Sequence, residues 1–256
     1  MSSYRLFSLR RYGIAPIAAM ILLQANSSVA LDNPPQFEVA SVKVTPLGPS
    51  SVPEKLSTTP AGVTMQNMRL RVASMWAYHL QSVQISGPEP LDSQRYEIIA
   101  NAPRPTTEEQ LKLMFQELLS SRFKLSVHRT TKDMQVYELA VSRTGLKMKE
   151  SQQDQESKMV PSSKLGLSAT STGTGQIALF LSRRLQMPVF DVTALTGRYD
   201  FTLDLAPYMD REPDPQEVPE IFARAFEEEL GLTLKSRKAA VDLLVVDHVE
   251  GTPVGN

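Results

Sequence analysis

The histidines of this chain are His79, His128 and His248, and no pair has the His-Glu-x-x-His spacing that sets two metal ligands on one helix face. A zinc hydrolase would have to gather isolated residues from distant elements. His128 lies in a predicted strand, and His248 ends another beside Asp247. Each reads either as a half-exposed strand histidine or as the acid–base member of a dispersed hydrolase site with a nearby carboxylate. Serines are plentiful, yet the Gly-x-Ser-x-Gly elbow of strand–turn–helix hydrolases is missing. Gly173-Thr174-Gly175 lacks the Lys-Ser/Thr pair of a phosphate-binding loop. Cysteine is absent, which excludes thiolate metal sites, iron–sulfur clusters, disulfides and a cysteine nucleophile. The residues point to no catalytic set, no metal and no cofactor.

The most distinctive segment runs from Asp191 to Phe201 and contains Thr196-Gly197-Arg198-Tyr199-Asp200. As a ligand-binding set, Arg198 could clamp an anion bidentately, with Asp191, Tyr199 and Asp200 positioning it. As architecture, Gly197 would make a tight turn, Arg198 would pair with Asp191 or Asp200, and Tyr199 would brace the fold. Arg95-Tyr96-Glu97 repeats the pattern earlier in the chain, and a binding site seldom appears twice.

The elements that must position these residues recur in one order. Alternation predicts a strand over Phe37–Val44, and apolar spacing predicts a helix over Met68–His79. A strand follows at Tyr96–Ala100. Thr106-Thr107-Glu108-Glu109-Gln110 then offers capping-box chemistry for a helix burying Leu111, Met114, Phe115, Leu118 and Leu119. Phe123–His128 and Val136–Val141 are predicted to pair as a hairpin across Thr131-Lys132-Asp133. The second half predicts a helix over Ile177–Leu185 and strands at Pro188–Val192 and Gly197–Leu203. Asp214-Pro215-Gln216-Glu217 caps a helix that buries Ile221, Phe222, Ala225, Phe226 and Leu230 and stops at Gly231. Leu232–Leu234 and Val241–Val249 close as a strand pair.

Arg95 and Arg198 stand 103 residues apart, and Phe123-Lys124-Leu125 aligns with Leu232-Thr233-Leu234 at a spacing of 109. These offsets predict an α+β protein of two similar helix–strand–strand–helix–hairpin halves, mainly antiparallel, related by internal duplication and sharing a core or a continuous sheet. The first half spans 31–149 and the second 177–256. Between them, residues 150–176 are rich in Ser, Gln, Thr and Gly and read as a low-complexity linker or loop. Residues 46–60, with their prolines, read as a second irregular segment.

Residues 1–30 read as an export signal. Arg5, Arg10 and Arg11 form a basic start, Ile14–Leu23 an apolar run, and Ser28-Val29-Ala30 a small-residue cleavage site. Loss of those three positive charges moves the net charge from −1 to −4. No later segment reaches the ~18 consecutive apolar residues of a membrane span, so the mature protein is expected in the periplasm or outside the cell. Of its 256 residues, 27 are Lys or Arg and 28 are Asp or Glu. That balance argues against an electrostatically driven nucleic-acid partner.

Four ordered motifs carry a family resemblance. They are Phe37-Glu38-Val39-Ala40-Ser41-Val42-Lys43, Leu118–Arg129, Leu195–Leu203 and Val245–Glu250. Together they resemble a soil-associated bacterial family of exported proteins of unknown function, across nearly all of the mature chain. Ala194 and Pro90 depart from that family's usual glycine and tryptophan. The resemblance implies no activity and no catalytic residues. Related domains beside membrane metallopeptidases of the antibiotic-sensing BlaR type imply a sensing or binding role. The expectation is therefore a non-catalytic extracytoplasmic module that binds a small molecule or a protein. The alternatives are a hydrolase with a dispersed His/carboxylate site and a structural partner that uses an exposed strand edge.

Overall fold

The computed structural model describes residues 35–255 apart from 47–51, 153–154, 164–165, 210 and 212. The export signal read over 1–30 lies outside the described residues. Strand β1 (Val39–Val44) is followed by a hairpin of β2 (Lys55–Thr59) and β3 (Gly62–Met68), then helix α1 (Leu70–Tyr78). The chain continues through β4 (Ile85–Ser86), the single turn α2 (Pro90–Ser93), β5 (Tyr96–Asn101), α3 (Glu108–Phe123) and β6 (Ser126–Val141). The second half carries β7 (Lys149–Glu150), β8 (Lys158–Ser163), β9 (Gly166–Thr172), α4 (Thr174–Leu185), β10 (Val189–Asp191), β11 (Tyr199–Asp204), α5 (Val218–Ala225) and β12 (Leu232–His248).

Local chemistry explains most of the boundaries. Thr107 caps α3 by accepting the Gln110 N–H at 3.3 Å, and Lys124 ends that helix in the left-handed conformation at φ 51°. Asp214 donates its N–H to Glu217 at 3.0 Å, which is the reciprocal half of a capping box ahead of α5. A π-helical turn, Phe226–Leu230, extends α5 to Gly231, which has φ 68°. Phe222, Ala225, Phe226 and Leu230 are buried as expected, and Ile221 is half-buried.

Among the described residues the strands form three four-stranded sheets. Their orders are β1-β5-β3-β2, β7-β11-β9-β8 and a central β10-β6-β12-β4. The outer sheets match strand for strand, and pairing is antiparallel except where β10 joins β6 and β4 joins β12. The register gives the equivalence directly: Met65 faces Ile98 and Met68 faces Tyr96, as Ala169 faces Phe201 and Thr172 faces Tyr199. Both pairings carry a bulge at the same place. The α+β, mainly antiparallel architecture is therefore the one expected. Equating the helix-ending residues Lys124 and Gly231 makes the later offset 107 rather than 109.

Three expectations are corrected. The predicted hairpin at Thr131-Lys132-Asp133 does not form: β6 runs unbroken for 16 residues. The predicted final strand pair is likewise one 17-residue strand, β12, antiparallel to β6 along nearly its whole length. The polar stretches that read as turns are where this ribbon crosses from one hydrophobic core to the other. Val127, Leu244 and Val246 serve the first core, whereas Leu139, Leu232 and Leu234 serve the second. Between them Thr131 hydrogen-bonds Asp242 at 3.0 Å. The third correction concerns 150–176, which holds β8 and β9 rather than an irregular linker, and β2 similarly occupies part of 46–60. Ser and Thr suit strands with one solvated face, and Met159, Leu167 and Ala169 supply the apolar side. The halves thus keep separate cores and share one sheet. A side-chain clasp adds to this joint, because Gln81 of the first half bonds both the N–H (3.0 Å) and the carbonyl of Val189 in the second.

Candidate functional site

Arg198, Tyr199 and Asp200 surround Ser171, a non-glycine residue at φ 47° where β9 turns into α4. The Arg198 Nη1 donates to the Ser171 carbonyl at 3.0 Å, and the Ser171 N–H donates to Asp200 Oδ1 at 2.8 Å. That backbone donor holds the Asp200 carboxyl below its ordinary range. Tyr199 is buried in the second core, and its ring lies so close to Gly197 that a β-carbon there would sit 2.8 Å from the phenolic oxygen. Asp191 Oδ1 accepts from the N–H and hydroxyl of Thr193, at 3.0 and 2.6 Å.

The first half repeats this arrangement around Asn67, at φ 52°. Arg95 Nη1 donates to the Asn67 carbonyl at 3.0 Å, and the Asn67 N–H donates to Glu97 at 2.9 Å. Tyr96, fully buried, donates to the Gly251 carbonyl at 2.6 Å, and burial raises its phenol to about 12. Each Arg-Tyr-acid run therefore latches one left-handed residue between a strand and a helix. Asn67 and Ser171 were not legible as latch points. Asn tolerates that backbone region better than other side chains, but Ser carries no such signal.

The histidines stand at separate places in the fold. His79 ends α1 in the left-handed conformation, with Nδ1 3.4 Å from the Lys112 ammonium. His128 Nδ1 lies 2.9 Å from both oxygens of Asp247, on exposed positions of β6 and β12. His248 approaches Glu250 at 3.7 Å. Among the described residues no three His, Asp or Glu side chains are placed to hold a metal ion, and no helix is long and apolar enough to cross a membrane.

An open groove of about 360 Å³ lies between the start of β1 and one stripe of α3. Phe37, Ala40, Met114 and Leu118 supply apolar surface, and Glu38, Glu117, Ser121 and Arg122 supply the polar groups. Residues 114, 117, 118, 121 and 122 fall at helical spacing, so a single face of α3 forms one wall. Arg122 and Val254 exchange contacts that tie the chain's end to this wall. The Val254 N–H donates to the Arg122 carbonyl at 2.8 Å, and Arg122 Nη1 donates to the Val254 carbonyl at 3.3 Å. Among the described residues neither Glu38 nor Glu117 has a side-chain partner, so both carboxylates are available to a ligand. Ser121 begins a Ser-x-x-Lys spacing with Lys124, but its hydroxyl donates back to the Leu118 carbonyl at 3.2 Å and Lys124 lies past the helix end. Neither His128 nor Asp247 lines the groove.

A family profile described as a protein of unknown function, DUF3738, matches residues 73–249, well over half of the chain. No curated protein and no solved structure matches.

Proposed function

Given that the chain belongs to the DUF3738 family of proteins of unknown function, we propose that it is an exported, non-catalytic module that binds a ligand in the groove between β1 and α3. The observation that carries this reading is the groove itself. It sets Phe37, Ala40, Met114 and Leu118 beside Glu38 and Glu117, two carboxylates without a side-chain partner among the described residues, where no metal-binding cluster is found either. Such a surface fits a small molecule or peptide that carries a cationic group. The resemblance to soil-associated exported proteins, and to domains beside sensing metallopeptidases, supports an extracytoplasmic sensing role. The basic, apolar and small-residue succession of residues 1–30 supports export.

The test is a thermal-shift screen of the mature protein against cell-wall fragments, sugars, peptides and β-lactams, because a ligand bound only by the native state raises its melting point. We expect a hit whose shift disappears in Glu117→Lys while the variant's own melting point stays within a degree or two of wild type, roughly as for exposed substitutions. An unchanged shift in that variant, or a panel without a hit, would overturn the reading. Export is tested separately, by N-terminal sequencing of secreted material. Residue 31 should be the first residue, and a chain still starting at Met1 would refute cleavage after Ala30.

The contact between His128 and Asp247 is the one observation favouring a hydrolase. Turnover of any panel compound that is lost in His128→Ala would move the conclusion to that alternative.

A further inference from the structure

We propose that Arg198 anchors a second binding site, distinct from the groove, which takes the carboxylate of an exogenous ligand in the place that Glu54 fills in the other half. The argument rests on what the duplication keeps and what it changes. By strand register Lys55 opposes Gln66 as Lys158 opposes Thr170, which makes Ser157 the counterpart of Glu54 and Gly173 the counterpart of Arg69. Arg198 is the counterpart of Arg95, since both hold the carbonyl of the left-handed latch residue.

In the first half this corner is a closed ion cluster. Glu54 accepts from the Arg69 N–H at 3.1 Å and from the Arg69 guanidinium at 2.8 and 3.2 Å, with Arg95 Nη1 at 3.4 Å. Burial alone would raise the Glu54 carboxyl, and its arginine partners more than offset that and hold it below its ordinary value. In the second half the same backbone N–H, on Gly173, is satisfied by the neutral side-chain oxygen of Gln176 at 3.0 Å, which also accepts from Ser157 at 2.9 Å. The anion has been replaced by an amide, yet the arginine has been kept. Among the described residues no carboxylate lies within 4.0 Å of the Arg198 guanidinium, whose sole hydrogen bond is the one to Ser171.

The space has been vacated as well. A β-carbon built on Gly173 meets only the Gly197 carbonyl oxygen, at 4.0 Å, and one on Gly175 meets only Asp191 Oδ2, at 3.9 Å. Where Arg69 projects a long side chain in the first half, the second leaves room beside an exposed guanidinium. Nearby Asp200 does not forbid an anion here, because Glu97 holds the equivalent place in the half that already binds a carboxylate. In the first half Arg95 Nη1 serves the Asn67 carbonyl and faces Glu54 at once, so Arg198 can hold Ser171 through Nη1 and still meet a carboxylate seated in that corner.

The experiment titrates acetate, succinate and N-acetylalanine into the mature protein while following the Arg198 Nε–Hε resonance by NMR. Saturable shifts of that signal are expected with the monocarboxylates. Two variants test the assignment. Arg198→Gln should weaken the probes roughly tenfold or more, the worth of a charge-assisted hydrogen bond, followed there through the Gly173 amide. Because Arg198 also supports the Ser171 latch, the sharper variant is Ser157→Glu. It leaves the arginine in place and supplies an internal carboxylate as Glu54 does, so it should abolish probe binding without lowering the melting point. Unsaturable shifts in the wild type, or undiminished binding in Ser157→Glu, would overturn the site. Glu117→Lys should bind these probes unchanged, which separates this outcome from the fate of the groove.

Discussion

Replacing Gly231 by alanine is expected to cost about 3–4 kcal/mol, a sum of left-handed strain and forced displacement of neighbours, and to lower the melting point by roughly 10 °C in a chain of this size. Gly231 ends the long α5 turn at φ 68°. A β-carbon there would lie 2.0 Å from the Gly145 carbonyl oxygen and 2.9 Å from the Lys147 N–H. The neighbouring loop cannot retreat freely, because Ser142 donates to the Gly231 carbonyl at 2.8 Å and Lys147 to the Leu230 carbonyl at 2.9 Å. Thermal unfolding of Gly231→Ala followed by circular dichroism checks this. A drop of only a degree or two would mean that the loop yields and that the close approach is not a constraint. Lys124, the counterpart at the end of α3, already takes the left-handed conformation with a side chain. The difference in crowding, rather than the backbone angle alone, makes the second position specific for glycine.

The other large effect concerns the cores. Phe123→Ala and Phe226→Ala should each cost about 3–5 kcal/mol, as for other fully buried aromatics. Phe123 stacks edge-on to Tyr96 at 4.9 Å, and Phe226 lies 6.0 Å from Phe222. The two residues belong to different cores. If the halves were independent, each substitution would split the unfolding into two transitions. The ribbon argues otherwise, since β6 and β12 each place apolar residues against both cores, β6 through half-buried Val127 and buried Leu139, and β12 through buried Leu244 and Leu232. Melting either core therefore unseats strands that the other needs. Calorimetry should show one transition, shifted down in both variants. Two resolved transitions would show that the shared sheet is a weak joint.

Much of the fold was legible locally. The helix start at Thr107, the stop at Gly231, and the strands at Tyr96 and its repeat at Tyr199 each carry a signal within a few neighbouring residues, a cap, a glycine or an alternation. Those rules hold before the chain collapses. The expected hairpins are absent for a reason of the same kind. A polar interval in an apolar segment marks a turn in a small protein, but here it marks the stretch of β6 and β12 that lies between two cores. Only the distance between the cores distinguishes these cases, and no local pattern encodes it. The candidate sites divide likewise. Arg198 stood out by its repeated neighbours, whereas its lack of a counter-charge among the described residues emerges only when Ser157 and Glu54 are seen to occupy matching corners of matching sheets.

Residue order was sufficient for the α+β class and pointed to the repeat of Arg95-Tyr96-Glu97 at Arg198-Tyr199-Asp200, because periodicity, capping groups and side-chain types act over a few residues. Folding in three dimensions decided which strands are continuous, which acid meets which base, and where a groove opens. Those outcomes arise from segments far apart in the chain, whose packing must satisfy all of them together.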